Sequence, residues 1–474
     1  MPKKYWIDNE SELDPLSSLL SEWSDPEDEE EEFRSEFFQG LSGRRKKAAF
    51  VLMTIWGVVI GLNLVAWGTW VILGLIVVFA LQGLRLVKAK PEPSPEPLSD
   101  EAIKEAPTIS LLVAAKNEAT VIHKLVTQLC TLDYPKEKYD LWVIDDHSTD
   151  QTPEILEQLA QQYSQLTVIR RPAGATGGKS GALNEVFPRT QGDIIAVFDA
   201  DAKVSQDLLK RVVPLFGQPE MGAVQVRKKI ANESLNFWTR GQAAEMALDG
   251  FFQQQRIAIG GIGELRGNGQ FVRRTALVKC GGWNEQTITD DLDLTIRLHL
   301  DNWKIGFLDN PAVEEEAVTT AKSLWHQRNR WAEGGYQRYL DYWRFIVNQP
   351  MGWSKKLDLV SFILMQYLLP TAAVPDFIMM VVRHRLPIFS PLTSLMLSLS
   401  CWGIFTGLRR TQDSEKLGIF GVFRLGWQSL IANFYMMHWL IIMPSVTTRM
   451  SIRPKRLKWI KTVHEGTPEE SFEF

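Results

Sequence analysis

Residues 193–204 read DIIAVFDADAKV. The apolar run 194–197 has the pattern of a buried strand, and it leads straight into Asp199 and Asp201 with one small residue between them. Carboxylates so spaced on a turn offer hard anionic oxygens, which suit Mg²⁺ or Mn²⁺, and such ions complete their shell with water and substrate phosphates. A solvated turn would explain a lone DxD, but this one has company. In DDHSTD (145–150), Asp146 sits just past another apolar run, where a carboxylate can accept the N–H of a uracil ring. Ser148 and Asp150 beside it read as a helix cap.

Three further stretches carry chemistry. GGKSGALN (177–184) joins a glycine pair, Lys179 and a helix start, a combination whose N–H groups and ammonium suit phosphate oxygens. It is not a Walker A loop, because that motif needs glycine where Ala173 stands, and a glycine turn with a surface lysine is its plainer reading. TDDLDLTIRLHL (289–300) spaces Leu292, Ile296 and Leu300 for a helix with Thr289 and Asp290 near its cap. Asp290 can be explained as a cap or dipole partner, whereas Asp291 at a pocket-facing helix start is a natural general base for an attacking hydroxyl. QRNRW (327–331) sets Arg330, able to neutralise a departing diphosphate, beside Trp331, able to form a platform for a sugar or an apolar acceptor. An interfacial helix with Arg and Trp at headgroup level would give the same pair.

These residues need a scaffold that gathers strand ends. ISLLVAA (109–115), LWVIDD (141–146), TVIRR (167–171), DIIAVFDAD (193–201) and GAVQVRK (222–228) read as strands, separated by helices such as TPEILEQLAQQY (152–163). Alternation of this kind predicts a doubly wound α/β domain, in which ligands bind beyond the carboxyl ends of the strands. The acidic clusters fall at those ends. PEPSPEP (91–97) is a stiff linker ahead of the domain, so residues 91–104 connect and residues 105–350 fold as the globular middle.

Composition limits what surrounds this middle. The 474 residues carry a net charge of −4, and no basic excess points to nucleic acid. Cys130, Cys280 and Cys401 lie far apart, without disulfide or zinc spacing, as expected of a reducing compartment. Residues 1–43 include DPEDEEEE (25–32), a like-charge run expected to form a solvated, disordered tail, and no cleavable signal peptide is evident. Residues 48–83 then pass without a charge, too far for one span across a hydrocarbon core of ~30 Å. A hairpin over 44–90 with a turn near 63–68 fits better, and the basic flanks, RRKK (44–47) and Arg85, Lys88 and Lys90, place both its ends in the cytoplasm.

Apolar runs return at 357–382, 386–408 and 419–446, giving transmembrane or interfacial helices over 351–448 and a basic, then acidic, cytosolic tail over 449–474. That basic tail calls for an even number of crossings, with one run interfacial, re-entrant or split. Pro370 and Pro375 in the first run and Arg424 in the last mark those two as the candidates.

Taken together, Asp146, FDADA, TDD and QRNRW resemble, in order and spacing, the D, DxD, TED and Q(Q/R)xRW signatures of membrane-embedded family 2 glycosyltransferases, which include cellulose and hyaluronan synthases. The resemblance covers roughly residues 105–345 and departs from the pattern at Asp290, where the family has glutamate. It implies a GT-A fold, a UDP-sugar donor, a divalent metal on Asp199 and Asp201, and inversion at the anomeric carbon with Asp291 as base. Asp146, Lys179, Asp199 and Arg330 would then hold the donor and Trp331 the acceptor. The short membrane end resembles that of glycolipid-forming members, which implies UDP-glucose as donor and diacylglycerol as acceptor. A polysaccharide synthase and a catalytically silent membrane scaffold are the alternatives, and intact acidic residues at every motif count against the scaffold.

Overall fold

The computed structural model describes residues 43–411 and 418–452; the acidic run 25–32 and the basic residues from Arg453 onward lie outside the described residues. Between the apolar ends stands one mixed sheet of β1 (Ile109–Ala115), β2 (Tyr139–Asp145), β3 (Leu166–Arg170), β4 (Ile194–Phe198), β5 (Met221–Ile230), β6 (Gln270–Arg273) and β7 (Lys304–Glu315). The strand order is β3-β2-β1-β4-β6-β5-β7. β1 pairs in parallel with both β2 and β4, which brings Ala115 opposite Asp145 and Val113 opposite Phe198. Their carboxyl ends therefore share one edge, and residues 145–146 and 199–201 leave the sheet side by side.

Apolar cores cover both faces, one around Leu111, Val113 and Phe198 and the other around Leu112, Val197 and Leu294. All of β4 is buried, as its unbroken apolar run requires. Two strands go beyond the five expected. β6 has only four residues and runs antiparallel to β4 and β5, so the sheet is mixed rather than wholly parallel. β7 includes Asp309, Asn310 and Pro311 and pairs in parallel with β5.

The apolar ends form helices. Arg44–Leu64 and Gly68–Lys88 have 21 residues each, roughly 32 Å at 1.5 Å per residue and enough for the hydrocarbon core. In all, the described residues contain five helical segments long and apolar enough to cross a membrane, the others being Trp353–Arg383, Ser390–Thr411 and Ile419–Ile452. Large apolar side chains such as Phe50, Trp70, Phe420 and Phe423 stand exposed on them, as a lipid-facing surface requires. Both suspected runs are interrupted: the first by a π turn at Leu364–Leu368 and the last at residues 437–438, well past Arg424.

The long helix Ala321–Asn348 joins the two parts. Its Ala332, Tyr336 and Tyr339 pack with Ala48, Tyr367, Met443 and Val446 from the apolar segments. Arg44 adds a part-buried ion pair to Asp341 at 2.7 Å. Residues presented by this helix therefore have one neighbour in the sheet domain and another in the membrane segments.

Candidate active site

All seven residues singled out by their chemistry, Asp146, Lys179, Asp199, Asp201, Asp291, Arg330 and Trp331, line one cavity of about 320 Å³. They reach it from different elements. At the end of β2, Asp145 turns the chain by accepting the Ser148 N–H at 2.9 Å. Asp146 faces the cavity, where Arg171 donates to its Oδ1 at 2.7 Å and the Lys116 ammonium lies 3.8 Å from Oδ2. Ser148 and Asp150 hold the loop, accepting N–H groups of Asn117 at 2.8 Å and Thr152 at 3.0 Å.

The GGKSGALN stretch opens the helix Gly178–Val186, with Gly177 before it in the left-handed region at φ 81°. A side chain there would collide with Glu285 and Gly181, so glycine is required twice over. Lys179 reaches across to Asp199 at 2.5 Å. Burial disfavours its ammonium, but the charges of Asp199, Asp290 and Asp291 outweigh that and hold it above its ordinary value.

Asp201 accepts the Glu316 N–H at 3.2 Å. Burial, and then the charges of Asp199 and Glu315, push its carboxyl up to about 7. Asp199 already meets the Lys179 ammonium, but the carboxylate charge gathered around Asp201 is of the kind that a divalent cation offsets. Among the described residues no group of three or more His, Cys, Asp or Glu is arranged around one point. Two carboxylates fit an ion that draws its remaining ligands from water and a substrate diphosphate, not a cage built wholly of protein.

On the opposite side, Thr289 precedes the helix Asp290–Leu300 with extended backbone, yet its hydroxyl makes no capping bond and is buried without a partner. The capping role expected of this position is thus absent. Asp290 is the first helical residue, and its Oδ2 is also buried without a hydrogen bond. Asp291 accepts the Leu292 N–H at 2.8 Å. Its pKa is pushed up to about 6 by burial and next by the charge of Asp290.

Arg330 and Trp331 turn into the cavity from the Ala321–Asn348 helix rather than outward to headgroups. Trp331 is held by the Arg328 guanidinium 4.0 Å from its ring centroid, and the Lys228 ammonium lies 5.6 Å away. Arg328 is itself buried in a 2.5 Å ion pair with Glu245, which also accepts the Trp439 N–H at 2.9 Å. Several of these partners escape sequence reading. Arg171, Arg266 and Glu245 belong to no short motif, and the pairs they make span 25, 17 and 83 positions. The far wall of the cavity comes from the membrane segments, through Phe362, Gln366, Tyr367, Trp439 and Met443. One cavity thus combines a cationic and acidic floor with an apolar side.

Residues 106–334, which hold the whole sheet and the QRNRW motif, match the family model described as glycosyltransferase like family 2. The solved mannosyltransferase PcManGT from Pyrobaculum calidifontis, in complex with GDP-Man and Mn²⁺, shares the fold with a TM-score of 0.53 at 19% identity, over 81% of this chain and 99% of that one. The similarity to curated proteins runs through the membrane segments as well. A beta-monoglucosyldiacylglycerol synthase of Synechocystis sp. is 62% identical over 100% of this chain and 99% of its own length. One from Trichormus variabilis is 57% identical over 99% of this chain and 100% of its own. The chain belongs to this family of beta-monoglucosyldiacylglycerol synthases, glycosyltransferases of the family 2 type.

Proposed function

We propose that the enzyme moves glucose from UDP-glucose to 1,2-diacylglycerol and so forms beta-monoglucosyldiacylglycerol. The observation that carries this reading is the shared cavity: its floor has the charges a nucleotide diphosphate needs, and its far wall is built from membrane-segment side chains. An acceptor confined to the bilayer could enter only past such a wall. The names of the full-length relatives support glucose as the sugar and diacylglycerol as the acceptor.

In this reading Asp146 accepts the uracil N–H, with Arg171 fixing the carboxylate. Lys179 and Arg330 face the diphosphate. Asp199 and Asp201 would hold a divalent cation, Mg²⁺ or Mn²⁺, which when bound offsets the charge of the leaving group. Asp291 takes the proton from the lipid hydroxyl as its oxygen bonds to the anomeric carbon, and the carbon–oxygen bond to UDP breaks on the opposite face. Its raised pKa makes it a stronger base than an ordinary carboxylate while leaving it ionised near neutrality. Trp331 offers the ring on which the acceptor rests. The basic flanks of the hairpin support a catalytic domain on the cytosolic side, where nucleotide sugars are found.

The stereochemistry tests this. Purified protein given UDP-glucose, in which the sugar is α-linked, and dioleoylglycerol should yield a product whose anomeric proton shows the β configuration by NMR. An α-linked product would remove single-step inversion through Asp291.

A further inference from the structure

The turn 231–236 belongs to the sheet domain, between β5 and the helix Phe237–Ala258, yet its tip is apolar. Turn tips are usually built of Gly, Pro, Asn, Asp or Ser. Here Leu235 is 59% exposed, and Phe237 beside it 36%. The exposure does not come from a loose chain, because both sides of the turn are pinned. The Asn232 amide donates to the Ala317 carbonyl at 3.0 Å, and its oxygen accepts the Ala317 N–H at 2.9 Å. Asn236 caps the helix by accepting the Trp238 and Thr239 N–H groups at 2.8 and 3.1 Å, while its amide donates to the Thr319 carbonyl at 3.0 Å. Leu235 is held out between two asparagine posts.

One exposed leucine would mean little by itself; its neighbours give this one a meaning. On the membrane segment Ile419–Ile452, the exposed Phe420, Phe423, Trp427, Leu430 and Phe434 recur every three or four residues and form one lipid-facing stripe. The stripe ends beside Tyr435. That ring meets those of Phe237 and Trp238 at 6.1 and 6.5 Å and covers Gly241, where a side chain would collide with it. The turn therefore stands where the lipid-facing surface reaches the sheet domain. Its other neighbour is Trp331, which packs with Ile230 and Ala317 at the foot of the turn. One small cluster thus joins the apolar tip to the ring assigned to the acceptor.

We propose that Leu235, with the edge of Phe237, enters the hydrocarbon boundary of the leaflet that faces the sheet domain, and that the lipid acceptor leaves the bilayer for Trp331 at this contact. The occupant is the bilayer itself, because the tip continues a stripe that already faces lipid. Arg240, one turn into the helix, and Lys322, three residues past Thr319, are exposed cations suited to headgroups, against one exposed acid in the turn, Glu233. No bond forms or breaks here. The effect of the turn falls on capture of the acceptor, a consequence that rests on diacylglycerol being that acceptor.

The test uses the full chain in dioleoylphosphatidylcholine vesicles. Cys401→Ser leaves only the buried Cys130 and Cys280, so Leu235→Cys can carry a fluorescent dye at one site. Val278→Cys is the comparison: it is 60% exposed, but its helix, Arg274–Lys279, starts where β4 begins, at the sheet edge away from the cavity. With lipids bearing a nitroxide high on the acyl chain, emission from position 235 should be quenched and emission from 278 unchanged. No quenching at 235, or the same quenching at both positions, would overturn the contact. Kinetics test its role. Leu235→Asp should raise KM for dioleoylglycerol in vesicles about tenfold, the worth of immersing part of one leucine side chain, while KM for UDP-glucose stays unchanged and Leu235→Phe keeps the parental values. An unchanged lipid KM in Leu235→Asp, or an equal loss toward both substrates, would reject acceptor capture at this turn. A parent that forms no lipid product would instead overturn the acceptor assignment, on which the quenching does not depend.

Discussion

Exchanging Asp290 for asparagine should move the acid limb of the pH–rate profile, whereas exchanging Asp291 should remove the rate that the limb reports. The Asp291 carboxyl stands at about 6 against an ordinary 3.8, raised first by burial and then by Asp290, and opposed by the Leu292 N–H, Lys179 and Arg266. A general base works only when ionised. Turnover should therefore be half-maximal near pH 6 and fall to roughly a tenth by about pH 5. Asp290→Asn deletes the charge that resists ionisation of its neighbour, so Asp291 should lose its proton at lower pH and the limb should shift toward acid. Asp291→Asn should cost about 10²- to 10⁴-fold in turnover at every pH, with UDP-glucose affinity nearly intact. Initial rates of lipid product across the limb, at saturating Mg²⁺ so that Asp201 stays ionised, measure the first effect; titration calorimetry with UDP-glucose measures the second. A limb that moves toward alkali in Asp290→Asn would refute the reasoning. So would an Asp291→Asn protein that loses donor affinity in proportion to its rate.

Three other outcomes are expected. Asp199→Asn or Asp201→Asn should lower turnover by about two or more orders of magnitude, and chelation of the parent should do the same; undiminished activity in EDTA would take the metal out of the mechanism. Glu245→Ala leaves the Arg328 guanidinium buried without its carboxylate and should destabilise the protein by about 3–5 kcal/mol, seen as a lower Tm in detergent, while Glu245→Gln should cost less because an amide oxygen in the place of Oε2 still accepts from Arg328 and Tyr435. Cysteines placed at Ser42 and Ser94 should show equal accessibility to an impermeant reagent in sealed vesicles, and opposite labelling would mean a single N-terminal span.

What could be seen in the sequence follows from how local the cause is. Strand β1 could be read to the residue because ISLLVAA is apolar throughout except for Ser110. β6 escaped because four residues carry no period, and β7 because Asp309, Asn310 and Pro311 look like a loop when their partner strand is out of view. The carboxylates were legible as chemistry because they stand at strand and helix ends. Their electrostatic settings were not, since Arg171, Glu315 and Arg266 act on them across the fold. Thr289 shows the opposite error: its sequence position suits a cap, yet its hydroxyl turns toward Gly334 in the packed helix pair. The apolar wall of the cavity was hidden for the same reason, because Gln366 and Met443 meet only when separate membrane segments pack.

The central claim, that a sugar leaves a nucleotide at this cavity for a lipid from the bilayer, can be met head on. Purified protein would be incubated with UDP-glucose labelled in the sugar, dioleoylglycerol and Mg²⁺, and the mixture then partitioned between organic solvent and water. The account predicts that label enters the organic phase as one discrete glycolipid, only when the diacylglycerol is present. Label that accumulates in the aqueous phase as polymer, with or without the lipid, would contradict it.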